Sequence, residues 1–193
     1  FDASVLNARI RKNYITRDLK IASISSKEFD LTFEFVSSAA VYDQCLEHIQ
    51  KEIAFVGASN AGKSSAINAL SNKRKLAKVS KTPGKTKLFN FFKCPNGYIV
   101  DFPGYGFSKV SKLQKREWAN EIPKYFQFRD NLIGVFIFTD IRHPMREADL
   151  HMVQMLIELK LPFKVVLTKA DKVSEKKRIE TESFFKKKYT DVI

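Results

Sequence analysis

Gly57-Ala58-Ser59-Asn60-Ala61-Gly62-Lys63-Ser64 is the stretch from which the rest of this chain is read. Its spacing, G-x-x-x-x-G-K-S, is that of a loop that cradles phosphates. The flanks have the form such a loop needs. Ile53-Ala54-Phe55-Val56 is a short apolar run that predicts a buried strand, and Ser65-Ala66-Ile67-Asn68-Ala69-Leu70 predicts the first turns of a helix. Strand, glycine-rich turn and helix start together aim unpaired backbone N–H groups, and the positive end of a helix dipole, at one point. That point suits an oxyanion. Lys63 is expected to reach the β- and γ-phosphates, and the Ser64 hydroxyl to bind Mg²⁺. A chance lysine in a glycine turn is the plain alternative; the flanking elements weigh against it, and the downstream motifs more so.

Ser71 to Lys87 is strongly basic (Lys73, Arg74, Lys75, Lys78, Lys81, Lys85, Lys87), and Pro83-Gly84 breaks regular structure there. A solvated basic loop is the default reading. With a phosphate loop upstream, Thr86 becomes a candidate switch residue, its hydroxyl on Mg²⁺ and its N–H on a γ-phosphate. Leu88-Phe89-Asn90-Phe91-Phe92 and Tyr98-Ile99-Val100, around Pro95-Asn96-Gly97, predict an antiparallel hairpin. Its second strand delivers Asp101-Phe102-Pro103-Gly104. Asp101 can hold Mg²⁺ through water, and Gly104 lets the backbone swing toward a γ-phosphate. Tyr105 follows, where many nucleotide switches carry the glutamine that orients water, so slow intrinsic hydrolysis is expected.

Leu132 to Phe138, ending at Thr139-Asp140, predicts a parallel strand buried on both faces. His143 reads as a structural or partner-contacting histidine rather than a base. Glu147 to Lys160 predicts a helix with Leu150, Val153, Leu156 and Ile157 as its apolar positions and Met152 and Met155 as core filling. Phe163-Lys164-Val165-Val166-Leu167 is the next predicted strand. It delivers Thr168-Lys169-Ala170-Asp171, which fits [NT]-K-x-D, a guanine-reading element. Asp171 would accept from guanine N1–H and the exocyclic amine, a pair of contacts adenine cannot make. Lys169 would lay its stem along the base. Thr168 stands where asparagine is commoner, which alters a loop-tying contact and leaves the specificity contact alone. Val173 to Lys188 predicts a last, lysine-rich helix, and Thr190-Asp191-Val192-Ile193 the start of a strand.

At 193 residues the chain suits one domain with a real core, to which 17 Phe contribute. The formal charge of +13 and pI near 9.7 point to a polyanionic partner. No stretch of 18 apolar residues spans a bilayer. Cys45 and Cys94 have no C-x-x-C partner and read as buried or idle thiols of a reducing compartment. Residues 1–30 read as a basic extension, and 31–193 as the nucleotide domain. Within the latter, Leu31-Thr32-Phe33-Glu34-Phe35-Val36 alternates and then runs apolar, which predicts an edge strand, and residues 41–50 predict a short helix before the strand at Ile53. Phe1, with no Met before it, reads as the start of a fragment or a processed chain.

From about Phe33 to Lys172 the chain resembles the EngB/YihA/YsxC family of ribosome-assembly GTPases. The matching runs are Gly57-Ala58-Ser59-Asn60-Ala61-Gly62-Lys63-Ser64-Ser65, Lys81-Thr82-Pro83-Gly84-Lys85-Thr86, Asp101-Phe102-Pro103-Gly104-Tyr105-Gly106, Asp140-Ile141-Arg142-His143 and Thr168-Lys169-Ala170-Asp171. Ala58 and Lys87 depart from the family's usual Arg and Gln.

The resemblance implies an α/β P-loop GTPase fold with a mostly parallel six-stranded sheet, in which the strand near residues 87–93 runs antiparallel. Helices would cover both faces, and a final strand, base-contacting loop and helix would lie beyond the given end. It implies GTP and GDP with Mg²⁺ as ligands. Their site would be Gly57 to Ser65, Gly84, Lys85, Thr86, Lys87, Leu88, Asp101 to Gly104 and Thr168 to Asp171. Ser64, Thr86 and Asp101 would serve the metal, and Lys63, Thr86, Asn60 and Gly104 the hydrolysis. Asn60 would help hold a K⁺ ion, as its counterpart does in related GTPases. The implied partners are the large ribosomal subunit, its rRNA and other assembly factors, for a monomer with no membrane attachment. The implied compartment is the bacterial cytoplasm, with an organelle matrix as the alternative. A metabolic P-loop kinase or ATPase and an RNA-binding scaffold indifferent to nucleotide are the rival readings. A membrane-attached signalling GTPase is a third, and no lipidation signal supports it.

Overall fold

A computed structural model describes residues 33–77, 89–105 and 112–188, with the backbone alone for 112–119 and 188. Its centre is β2 (Glu52–Gly57), every residue of which is buried. An all-buried strand needs a neighbour on each edge and a layer on each face, and β2 has them. It runs parallel to β4 (Gly97–Asp101) on one side and to β5 (Leu132–Asp140) on the other. Outward from β5 lies β6 (Phe163–Thr168), also parallel. Outward from β4 lie β3 (Phe89–Cys94) and then β1 (Glu34–Ala39). The order β1-β3-β4-β2-β5-β6 contains one strand, β3, that opposes the rest. This is the expected six-stranded sheet, with its antiparallel member where the sequence put it.

The reversal at β3 comes from a two-residue turn, Pro95-Asn96, after which Gly97 takes φ +146°. A Cβ there would stand 2.2 Å from the Lys51 carbonyl oxygen, which accepts the Tyr98 N–H at 2.9 Å. Only glycine lets the hairpin start against the preceding chain so closely.

One face of the sheet is covered by α1 (Lys63–Leu70), whose Ile67 and Leu70 pack with Phe55, Phe136 and Phe138. The other is covered by α2 (Lys112–Phe128) and α3 (Glu147–Glu158). Tyr125 and Phe126 of α2 form an aromatic stack with Phe89 and Phe102, and Val153 and Leu156 of α3 join the same core. The last helix, α4, spans Glu175–Lys188. Among the described residues no helix is long and apolar enough to cross a membrane.

Three local expectations change. Residues 41–50 hold one 3-10 turn, Tyr42–Gln44, instead of a short helix. Carbonyls that a helix would have used internally are taken by side chains from beyond α2: Arg129 donates to Leu46 O, and Asn131 Nδ2 donates to His48 O (3.1 Å) and Gln50 O (2.9 Å). In α3 the buried stripe is Asp149, Met152, Val153 and Leu156, a spacing of three and four. Leu150 and Ile157 sit one position off it and are exposed, whereas Met152 is core as expected. The edge strand expected at Leu31–Val36 occupies Glu34–Ala39. The strand start expected at Thr190–Ile193 and the extension at residues 1–30 lie outside the described residues. Cys45 and Cys94 are free and buried, and burial pushes their thiols up to about 12 and about 11.

Candidate nucleotide site

The carboxyl ends of β2, β4, β5 and β6 converge on one rim, and every described motif residue lies along it. At Gly57 the chain leaves β2 with φ +149°, so close to β5 that a Cβ would lie 2.3 Å from Phe138 O. Asn60 is left-handed (φ 59°), as is Gly62 (φ 100°), after which α1 begins at Lys63. The first intrahelical bond is Ala66 N–H to Gly62 O at 2.9 Å, so the N–H groups of Lys63, Ser64 and Ser65 precede the ladder. Lys63 Nζ donates back to Gly57 O (2.8 Å) and Ala58 O (3.2 Å). Its ammonium is buried. Burial lowers the lysine pKa, against the opposing pull of Asp101 and Asp149.

Asp101 ends β4 and is 3 % exposed. Its Oδ2 accepts from Ser64 Oγ at a long 3.5 Å, and its Oδ1 is buried with no hydrogen-bond partner among the described residues. Burial lifts this carboxyl to about 6, with Lys63 and then Ser64 pulling the other way. A carboxylate so poorly served inside protein is costly unless a cation joins it. An Mg²⁺ ion fits that need. It binds proteins through one or two oxygen ligands and keeps water and phosphate for the rest. No group of three or more His, Cys, Asp or Glu side chains that could enclose a metal occurs among the described residues.

Gly104 sits against the phosphate loop, where a Cβ would come 2.8 Å from Ser59 Cα. The next residue closes the contact: Ser59 N–H donates to Tyr105 O at 3.2 Å, and Ala58 bridges to Tyr105. Tyr105 thus contributes its backbone to the loop. Its hydroxyl is buried beside Asp149, and burial, with the Asp149 charge next, pushes the phenol well above its usual range. Water orientation by a glutamine-like side chain is not what this residue offers.

At the other end of the rim, Thr168 Oγ1 lies 2.8 Å from Ala61 O and 3.1 Å from Thr139 O, sharing one proton between them. The threonine in place of asparagine therefore still ties the turn that begins at Thr168 to the Gly57–Ser64 loop, and its methyl fills the space beside Gly62. Lys169 is left-handed, and its ammonium pairs with Asp140 Oδ2 at 2.8 Å. Ala170–Lys172 forms a 3-10 turn that leaves the Asp171 carboxylate on the surface, 3.0 Å from Lys172 Nζ. An exposed carboxylate on this rim has the acceptor oxygens that a guanine edge calls for.

Asn60 is exposed at the loop tip, and Phe102 and Pro103 are buried beneath Gly104. Gly84, Lys85, Thr86, Lys87 and Leu88, expected at the switch, lie outside the described residues. His143 is on the surface, its N–H on Asp140 O at 3.0 Å, so it is no structural histidine. Sequence reading missed Asp149 and Thr139, a buried pair beneath the site (Thr139 Oγ1 to Asp149 Oδ2, 3.0 Å). An acid at the third position of a helix was the available signal, since it can cap: Asp149 Oδ2 accepts the Arg146 N–H at 3.2 Å.

Comparison with known proteins agrees with this geometry. Residues 52–169 match the family model described as 50S ribosome-binding GTPase. The chain is 49% identical over 130 residues to a probable GTP-binding protein EngB of Sodalis glossinidius, covering 67% of this chain and 62% of the relative. It is 47% identical over 148 residues to that of Vibrio parahaemolyticus, covering 76% and 68%. A crystal structure of a probable GTP-binding protein EngB matches with TM-score 0.58 and 27% identity, covering 72% of this chain and 80% of that one. Era, crystallised with MgGDPNP and a 16S rRNA fragment, shares the fold (TM-score 0.58, 23% identity, 75% of this chain and 49% of that one). With over half of its length matched by the family model and relatives near one-half identity, the chain belongs to the EngB group of 50S ribosome-binding GTPases.

Proposed function

We propose that this chain binds GTP and GDP and hydrolyses GTP slowly, as a switch in the maturation of the large ribosomal subunit, docking on its rRNA. The observation that carries the nucleotide reading is the starved, buried Asp101 carboxylate facing Ser64 and Lys63 on the rim that also presents Asp171. Lys63 and the N–H groups at the start of α1 hold the phosphates. Ser64 and Asp101 hold Mg²⁺, which when bound neutralises phosphate charge. Gly104 and the Tyr105 backbone lie against the loop, where a γ-phosphate decides whether they stay. Asp171 reads guanine. The Tyr105 side chain is withdrawn into the protein, which supports slow turnover, and Asn60 at the loop tip is our candidate for a K⁺ ligand.

Fluorescent GDP titration in Mg²⁺, with ATP as competitor, tests the nucleotide assignment. ATP displacing the probe as well as GTP does would favour the kinase or ATPase reading. Lys63→Ala should weaken binding or abolish turnover, and Asp171→Asn should lose guanine preference and gain xanthine nucleotides. Unchanged GTP affinity in the second variant would remove Asp171 from the base site. Faster GTP hydrolysis in K⁺ than in Na⁺, lost in Asn60→Ala, is the expected result for the cation.

The ribosomal part rests on family membership and on the charge of +13. Its test is co-sedimentation with large subunits in a non-hydrolysable GTP analogue and in GDP, at two salt concentrations. Retention with the analogue and release with GDP is the expected result. Equal retention lost at higher salt would mean generic adhesion to RNA.

A further inference from the structure

The sheet does not stop at Asp101. β4 keeps step with β2 as far as Phe102, whose N–H donates to Phe55 O at 3.0 Å. The pairing then resumes at Tyr105, which bridges to Ala58 in parallel and accepts the Ser59 N–H at 3.2 Å. Between the two lie Pro103, which has no N–H to give, and Gly104. The segment is thus zipped onto the phosphate loop by a ladder with a gap in it, a weak hold by itself. The Tyr105 side chain supplies the rest. Its ring packs against the core that α2 and α3 share with the sheet. Its hydroxyl is buried at Asp149, which Thr139 Oγ1 (3.0 Å) and the Arg146 N–H (3.2 Å) hold in place. Neither that hydroxyl nor Asp149 Oδ1 makes a hydrogen bond of ordinary geometry among the described residues. The anchor is therefore a ring held by apolar contact, free to leave without breaking a strong bond.

What the ring anchors stands where a third phosphate would go. A Cβ on Gly104 would lie 2.8 Å from Ser59 Cα and 3.0 Å from Ser59 N, so the gap does not admit one methyl carbon. The Ser59 N–H is already spent on Tyr105 O. We propose that Tyr105 sets the balance between GDP and GTP: its buried ring holds Gly104 on the phosphate loop, and a γ-phosphate has to draw the ring out before Gly104 can face it. A diphosphate at the start of α1 leaves the contact alone. A restraint of this kind lowers the apparent affinity of the ligand that must open it, in proportion to the fraction of chains already open. This rests on the nucleotide reading above and names how that site is regulated.

The test titrates fluorescent GDP and a fluorescent non-hydrolysable GTP analogue against the full chain in Mg²⁺, with thermal unfolding followed in parallel. Tyr105→Ala should bind the analogue about tenfold more tightly while GDP stays within about twofold. Tyr105→Phe keeps the ring and should match the wild type with both nucleotides. Hydroxyl-radical footprinting of the wild-type chain needs no variant: Tyr105 should be protected in GDP and reactive in the analogue. Equal protection in both would overturn the inference even if Tyr105→Ala failed to fold. So would a gain for the analogue matched by an equal gain for GDP, which would mark a general loosening. Weaker analogue binding in Tyr105→Ala would make the docked segment part of the GTP state and overturn it too. A shift in Tyr105→Phe as large as in Tyr105→Ala would place the hold in the hydroxyl, against the ring. Failure of the wild-type chain to bind either nucleotide would sink the nucleotide reading and this inference with it; normal binding without a Tyr105 effect would sink the inference alone.

Discussion

Two buried carboxylates stand at opposite ends of adjacent strands, and their surroundings differ in kind. Glu52 opens β2, is fully buried and is saturated. Tyr125 hydroxyl donates to its Oε2 at 2.5 Å, Arg129 donates Nε to Oε2 (3.0 Å) and Nη2 to Oε1 (2.6 Å), and His48 Nε2 stands 2.8 Å from Oε1 while its ring stacks on Tyr98. Asp101 closes β4, is almost as buried, and among the described residues has one long side-chain contact and an orphaned oxygen. A saturated buried charge belongs to the folded chain alone. A starved one is an unmet demand that a bound cation would fill. On the proposed reading the same residue chemistry is structural at one end of the sheet and functional at the other, and hydrogen-bond accounting sets the two apart.

The comparison breaks most visibly at Arg129. Arg129→Ala leaves Glu52 charged and buried without its main counter-ion, so it should destabilise the fold by about 3–5 kcal/mol. Chemical denaturation would measure it. Fluorescent GDP affinity of the folded fraction should stay within about twofold, because the damage lies at the end of the sheet remote from the nucleotide rim. A large loss of stability with a parallel loss of affinity would mean that the two ends are coupled.

The pH dependence comes next. Burial pushes the Asp101 carboxyl up to about 6 in the folded protein, against about 3.9 in an unfolded chain. A raised carboxyl pKa means the native state binds the extra proton, so stability falls as pH rises from about 4 to about 6 and the penalty is complete above that. The difference in unfolding free energy between Asp101→Asn and the wild type, in chelator, should grow by roughly 1–3 kcal/mol in favour of the variant across that window. Asp140 and Asp171 shift the opposite way, so their stabilising effect is lost only as pH falls through their lowered folded values. Subtracting the variant from the wild type removes them. A flat difference between pH 4 and 6.5 would show that Asp101 is better solvated than its burial suggests.

What the sequence could show of all this follows the range of the forces involved. The phosphate loop, Asp101 and Thr168 to Asp171 are legible because each is a short run whose spacing is the chemistry, and the strands that deliver them are apolar runs. Glu52 was not legible. It reads as an ordinary charge before a strand, and the residues that saturate it lie 73 and 77 positions away. The pairing of Asp140 with Arg142 is local, but Lys169, which joins them at Asp140 Oδ2, comes from 29 positions on. The residues 41–50 mislead for the same reason, since side chains of Arg129 and Asn131 claim their carbonyls from 81 to 83 positions away.

Tyr125→Phe and Ser64→Ala sharpen the contrast at its smaller end. Each removes one hydroxyl from one buried carboxylate. The Tyr125 contact is short and lies in a fully enclosed network, so its loss should cost about 1–3 kcal/mol of stability. The Ser64 contact is at the 3.5 Å limit, where a hydrogen bond holds little, so Ser64→Ala should cost the metal-free protein less than about 0.5 kcal/mol. The order reverses when Mg²⁺ is present. Ser64→Ala should then lose most of the metal dependence of GDP binding, whereas Tyr125→Phe should keep it. Denaturation in chelator and GDP titration across Mg²⁺ concentrations read the two effects separately. If Ser64→Ala cost as much stability as Tyr125→Phe, the two carboxylates would be alike after all, and the long contact at Asp101 would be a structural bond rather than a place kept for a cation.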